Sequence, residues 1–79
     1  MTEGTTIGVI GGGAWGTALA HMLCQAGRDV MLWARNADVV REITIAHRNT
    51  PYLPGIALDQ RLRATSDLAA VAARDVLLL

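Results

Sequence analysis

The chain carries a single cysteine, Cys24, so no internal disulfide can form and a reducing compartment is its natural setting. Neither sign of charge is in excess. Seven basic and seven acidic residues give a formal net charge of zero, and no basic block or stripe stands out. This excludes the electrostatic footprint of a nucleic-acid binder, or of a protein drawn to anionic membrane. No run approaches the roughly 18 apolar residues of a membrane span. Met1–Gly4 offers no positive segment ahead of an apolar stretch, as a secretion signal would. No pair of side chains has zinc-ligand spacing, no Ser-His-Asp set is evident, and no repeat, low-complexity tract or linker interrupts the chain. A cytoplasmic protein without a metal centre is expected.

What the chain has in quantity is apolar surface, at 52% hydrophobic residues. That content suits a sheet covered on both faces. Seventy-nine residues make a small core, since a chain of this size buries only about 60% of its unfolded surface. Asp75–Leu79 reads as a buried strand that has just begun, so the chain is expected to be the front part of a larger domain.

The pattern along the chain is that of alternating strands and helices. Thr6–Ile10 is a β-branched run ending in glycines, a buried first strand. From Ala14, the spacing of Trp15, Ala18, Leu19, Met22, Leu23 and Ala26 predicts a helix with one apolar face, closed by Gly27 as a left-handed cap. Asp29–Trp33 is a second buried strand, reached through a right-handed parallel crossover. Asn36 caps a second helix with Val39, Val40, Ile43 and Ala46 on one face, fraying near His47. Asn49–Gly55 is a loop, in which Pro54-Gly55 suits the centre of a type II turn. A third strand is expected around Leu62 to Thr65. Ser66 then caps a third helix, with Asp67 in its first turn, that runs to about Ala73. The order is that of a doubly wound α/β fold with a parallel sheet, the Rossmann arrangement.

Gly11-Gly12-Gly13-Ala14-Trp15-Gly16 fits G-x-G-x-x-G, and each fixed glycine has a task. Gly11 allows the tight turn out of the strand, Gly13 lets a diphosphate approach the backbone, and Gly16 lets the helix pack close to the strand. The phosphates of a dinucleotide would sit against the unpaired N–H groups and positive end of the helix starting at Ala14. Gly8 allows a similar close approach within the strand. Taken alone the hexapeptide also fits a structural turn. Its place after a strand, before a helix and ahead of a second strand points to dinucleotide binding.

The residue just beyond the second strand of such a unit reads the adenosine ribose, and a carboxylate there selects NADH. Here Trp33-Ala34-Arg35-Asn36 places no carboxylate before Asp38. Arg35 offers a planar guanidinium suited to a phosphate and to stacking on adenine, which predicts NADP(H) preferred, with NAD(H) still usable. The alternative for Arg35 is a solvated arginine or a partner for a nearby acid. Other conspicuous residues have structural readings: His21 exposed or hydrogen-bonded within a helix, Cys24 a small buried hydrophobe, and Trp33 core. His47 and Arg48 read as a helix end, with Arg48 also able to face the cofactor cleft.

Gly13-Ala14-Trp15-Gly16-Thr17-Ala18-Leu19-Ala20 resembles the bacterial NAD(P)-dependent glycerol-3-phosphate dehydrogenases. So do Leu32-Trp33-Ala34-Arg35, Asn49, Tyr52-Leu53-Pro54-Gly55 and Ala64-Thr65-Ser66-Asp67-Leu68. The resemblance runs from about Ile7 to the end and implies hydride transfer between a nicotinamide cofactor and dihydroxyacetone phosphate, giving sn-glycerol 3-phosphate for phospholipid synthesis. It places the backbone of Ala14 and Trp15 on the diphosphate, Arg35 at the adenosine end and Tyr52 beside the cofactor, where an aromatic that only anchors its loop is the other reading. Ala14 stands where the family often has serine, a difference that a backbone N–H contact survives. The resemblance also implies a homodimer. It assigns no catalytic residue to these positions, because the family's lysine and its helical substrate domain lie beyond Leu79. The 79 residues are therefore expected to be the N-terminal part of the cofactor domain and inactive by themselves. A sister dehydrogenase acting on another hydroxy substrate, a non-catalytic NAD(P)-sensing module, or a fragment that binds nothing are the competing readings.

Overall fold

The computed structural model describes residues 5–79. Met1–Gly4, read above as carrying no secretion signal, lie outside them. Four strands, β1 (Thr6–Ile10), β2 (Asp29–Trp33), β3 (Arg63–Thr65) and β4 (Val76–Leu78), form one sheet in the order β3-β2-β1-β4. Every pairing is parallel: Ile7 lies opposite Val30 and Val9 opposite Leu32, with Ile7 and Val9 also opposite Val76 and Leu78. This is the doubly wound arrangement expected from the strand–helix alternation.

Alternation along each strand divides the sheet into two faces. Ile7, Val9, Val30 and Leu32 join Ala20 and Cys24 of α1 (Ala14–Gln25), Val39 of α2 (Ala37–Arg41), and Ile43, Leu58 and Leu62 in one buried cluster. Gly8 points the other way, toward α3 (Leu68–Ala72). A Cβ at Gly8 would stand 2.6 Å from Val71 Cγ1 and 2.8 Å from the Val71 carbonyl oxygen, so α3 lies as close as it does only because that side chain is missing.

The face that α1 turns inward differs from the expected one. Thr17, Ala20 and Cys24 are buried, whereas Trp15 is 75% and Met22 64% exposed. Hydrophobicity picks out the larger side chains, but a helix pressed closely on a sheet takes the small ones. Trp33 also departs from the core reading. It is half-buried and its Nε1–H donates to the Ser66 carbonyl at 3.0 Å.

The helix ends are mostly as their residues dictate. Asn36 Oδ1 accepts the Asp38 N–H at 2.8 Å, and Gly27 takes φ 87° after α1. Gly55 has φ 80°, as the third position of a type II turn requires. The second helix does not run unchanged to His47. It is α-helical through Arg41 and then widens into a π turn over Glu42–Ala46, ended by His47 in the left-handed region at φ 56°. The cap of α3 is Asp67, not Ser66. Its Oδ1 accepts the Ala69 N–H at 3.1 Å, while the Ser66 carbonyl is engaged with the Trp33 indole. β4 is an exposed edge rather than a buried strand, with Val76 and Leu77 open to solvent, because none of the described residues covers that side. No helix among the described residues is long and apolar enough to cross a membrane.

Asp29, at the start of β2, ties two distant segments. Arg74 Nη1 lies 2.7 Å and Arg63 Nη2 3.1 Å from its Oδ1. The Arg74 hydrogen bond, with Arg63 adding to it, holds the Asp29 carboxyl below the ordinary carboxylate range. A carboxylate depressed in the folded state stabilises the fold above its unfolded pKa, and that contribution is lost as pH falls through the folded value. Asp29→Asn should therefore lower the thermal midpoint at neutral pH, and the gap to the parent should close as pH drops below about 4. A gap that stayed constant down to about pH 2 would show that the carboxylate's charge is not what holds the segments together.

Candidate functional site

The turn between β1 and α1 is shaped by three different needs for glycine. Gly11 donates its N–H to the Trp33 carbonyl at 2.9 Å and adopts φ 131°, a backbone that side chains rarely allow. A Cβ on Gly16 would lie 2.2 Å from the Gly11 carbonyl oxygen, so the helix can start against the strand exit only without one. Gly13 is different: its φ is an ordinary −74° and a Cβ there would meet open space. Nothing within the fold requires glycine at that position. A ligand that comes close to the backbone would require it.

The helix behind this turn is 12 residues long, has no side-chain cap at Gly13 and carries no acidic residue in its first turn. Among the described residues its leading N–H groups have no capping partner, and about half a positive charge from the helix dipole stands behind them. Two hollows meet at Gly13. One, of about 400 Å³, is lined by Gly12, Gly13, Arg35 and Tyr52 among others, and the second, of about 380 Å³, by Gly11, Ala14, Trp15 and Leu79. The fold thus brings Arg35 and Tyr52, which are 17 residues apart in sequence, to one side of the glycine turn. Arg35 is exposed and takes part in no ion pair among the described residues, while Asp38 lies 4.0 Å from Arg41. Tyr52 is half exposed. Arg48 lines neither hollow. A larger hollow of about 700 Å³ lies alongside, between α2 and Thr50-Pro51. It lacks the glycine turn and the uncapped helix end, the features that would draw a diphosphate.

Behind the turn sits a polar pair that the sequence reading gave no role. Asn49 Nδ2 donates to the Gly12 carbonyl at 2.9 Å and to Thr17 Oγ1 at 2.7 Å. Thr17 Oγ1 lies 3.4 Å from the same carbonyl, and both side chains are fully buried. Thr17 stands one turn inside α1, on the face that carries Ala20 and Cys24. A polar residue among those small buried ones is the signal available in the sequence, but its partner lies 32 residues away.

The other conspicuous residues are structural. His21 Nδ1 accepts the Asp59 N–H at 3.0 Å. Burial, with the Asp59 carboxylate nearby, pushes the Cys24 thiol above its ordinary pKa, away from a reactive thiolate. Among the described residues, no group of three or more His, Cys, Asp or Glu side chains is placed to hold a metal ion.

The open space at Gly13, the uncapped helix end and the cleft shared with Arg35 and Tyr52 fit a dinucleotide. Two substitutions separate this use of the turn from its architecture. Gly13→Ala should leave the thermal midpoint of the full-length protein nearly unchanged, yet weaken dinucleotide binding at least about tenfold, or ~1.4 kcal/mol. Gly16→Ala should lower both. Unaltered binding by the Gly13→Ala protein in a calorimetric titration would remove the ligand from that face of the turn.

Known proteins point the same way. A family model described as "NAD-dependent glycerol-3-phosphate dehydrogenase N-terminus" matches residues 6–79. A glycerol-3-phosphate dehydrogenase [NAD(P)+] of Paramagnetospirillum magneticum is 60% identical over 73 residues, covering 92% of this chain and 26% of the relative. One from Sphingopyxis alaskensis is 53% identical across 100% of the chain and 24% of its own length. Among solved structures, the glycerol-3-phosphate dehydrogenase of Coxiella burnetii superposes with a TM-score of 0.81 at 37% identity, covering 94% of this chain and 23% of that one. The Plasmodium falciparum enzyme reaches a TM-score of 0.85 at 30% identity, over 92% of this chain and 23% of its own. The chain spans about a quarter of the length of the relatives it matches. By its sequence, its parallel sheet and its glycine turn, the chain belongs to the family of N-terminal domains of NAD-dependent glycerol-3-phosphate dehydrogenases.

Proposed function

We propose that these residues form the cofactor-binding end of an enzyme that interconverts dihydroxyacetone phosphate and sn-glycerol 3-phosphate, supplying the glycerol backbone of phospholipids in the cytoplasm. The observation that carries the reading is the convergence of Gly13, the uncapped start of α1, Arg35 and Tyr52 on one cleft. The N–H groups of Ala14 and Trp15 would hold the diphosphate, with Gly11 and Gly16 fixing where those groups stand. Arg35 would bind the adenosine end and Tyr52 would border the cofactor. When bound, the nicotinamide supplies or accepts the hydride.

Polarising the substrate carbonyl and holding its phosphate fall to residues outside this stretch. The family's catalytic lysine has no counterpart here, since the sequence contains no lysine at all. On this reading the 79 residues are the front part of the nucleotide domain, silent without the rest of that domain and a helical substrate domain, and the whole enzyme works as a homodimer.

NADPH is the preferred cofactor on this reading. No carboxylate stands at the end of β2 to repel a 2′-phosphate, and Arg35 lies in the cleft with its guanidinium in no ion pair among the described residues. The test is oxidation of NADPH and of NADH by the full-length protein with dihydroxyacetone phosphate, before and after Arg35→Glu. NADPH should be used faster by the parent, and the substitution should raise its KM at least about tenfold, or ~1.4 kcal/mol, while changing that for NADH far less. Equal losses with both cofactors would remove the role given to Arg35. Cofactor binding without turnover would move the substrate to that of a sister dehydrogenase.

A further inference from the structure

We infer that Asn49, acting with Thr17, is a positioning residue that turns the Gly13 N–H toward the diphosphate, beside the N–H groups of Ala14 and Trp15, and ties the two walls of the cleft together. The inference rests on the cofactor reading above. In a trans peptide the C=O and the following N–H point in opposite directions. The Gly12 carbonyl is drawn inward by Asn49 Nδ2 at 2.9 Å, with Thr17 Oγ1 at 3.4 Å beside it. The Gly13 N–H is therefore turned outward, to the side on which Gly13 opens into both hollows. Without those donors, the Gly12–Gly13 peptide, which has a glycine on each side, would be free to rotate and would lose that aim.

The same residue holds the opposite wall. The main-chain carbonyl of Asn49 accepts the N–H groups of Leu53 at 2.7 Å and Tyr52 at 3.3 Å. Its side chain thus fixes the glycine turn, and its backbone fixes the start of the loop that carries Tyr52. The glycine turn and Tyr52 are held at one spacing through a single amino acid.

Asn49 is fully buried, so it cannot itself touch the cofactor. The amide orientation follows from the carbonyl it serves: turned over, Oδ1 would face the Gly12 oxygen, lone pair against lone pair. In the orientation present, Asn49 Oδ1 is buried with no partner among the described residues. A buried polar atom left unpaired is unfavourable. It is tolerated here on the side of the amide that does not face the turn.

The test uses the full-length protein and dissociation constants for two ligands, NADPH and adenosine 2′-monophosphate, which shares the adenosine end but has no diphosphate. Asn49→Ala should weaken NADPH binding at least about tenfold and adenosine 2′-monophosphate less than about twofold. Thr17→Val should weaken NADPH binding selectively in the same way, and Thr17→Ser, which keeps the hydroxyl, should restore it. If Asn49→Ala does not fold, the Thr17 pair decides. Equal losses for both ligands, unaltered NADPH binding, or a Thr17→Ser protein as weak as Thr17→Val would overturn the inference. A parent protein that bound NADPH not at all would instead overturn the function proposed above, and with it the ground for assigning Asn49 this role.

Discussion

With a Cβ on Gly16 placed 2.2 Å from the Gly11 carbonyl oxygen, α1 can begin where it does only because that position has no side chain. Much of the domain follows from this contact. A helix that starts so near the strand exit lies low on the sheet, and only small side chains fit beneath it. Thr17, Ala20 and Cys24 fill that space, and the larger Trp15 and Met22 are left outside. The same contact sets the uncapped N–H groups of Ala14 and Trp15 at the open end of the sheet, where β1 and β2 both stop. Close packing and the placement of an anion-binding helix end are one geometric solution.

Much of this was legible in the sequence because its signals are local. The glycine spacing, the β-branched run Thr6–Ile10, the cap at Asn36 and the turn at Pro54-Gly55 each depend on neighbours within a few residues, and each formed as its chemistry requires. What was misread depends on tertiary distance. The inward face of α1 is decided by how close the sheet lies, a quantity that hydrophobic periodicity does not contain. The cap of α3 is Asp67 rather than Ser66, whose carbonyl instead accepts from the Trp33 indole 33 residues away. The widening of the second helix into a π turn left no mark that propensity alone could show.

The candidate site divides in the same way. Gly11, Gly13 and Gly16 announce themselves by spacing, and Arg35 by its place after β2. Their convergence with Tyr52 needs the fold, and the support behind them needs it more. Asn49 reads as an ordinary loop residue and Thr17 as an ordinary helix residue until the sheet brings them to within 2.7 Å of each other beneath the Gly12 carbonyl. A polar residue among small ones can be seen along the chain, but the partner that buries with it across 32 residues is set by the fold.

The most direct test of the central claim, that this turn holds a dinucleotide by its backbone, is a crystal structure of the full-length protein with NADPH bound. Diphosphate oxygens within hydrogen-bond reach of the Ala14 and Trp15 N–H groups, with the adenosine 2′-phosphate on Arg35, are the result expected. A diphosphate seated away from the glycine turn, or held there by side chains while those N–H groups stay unpaired, would contradict it.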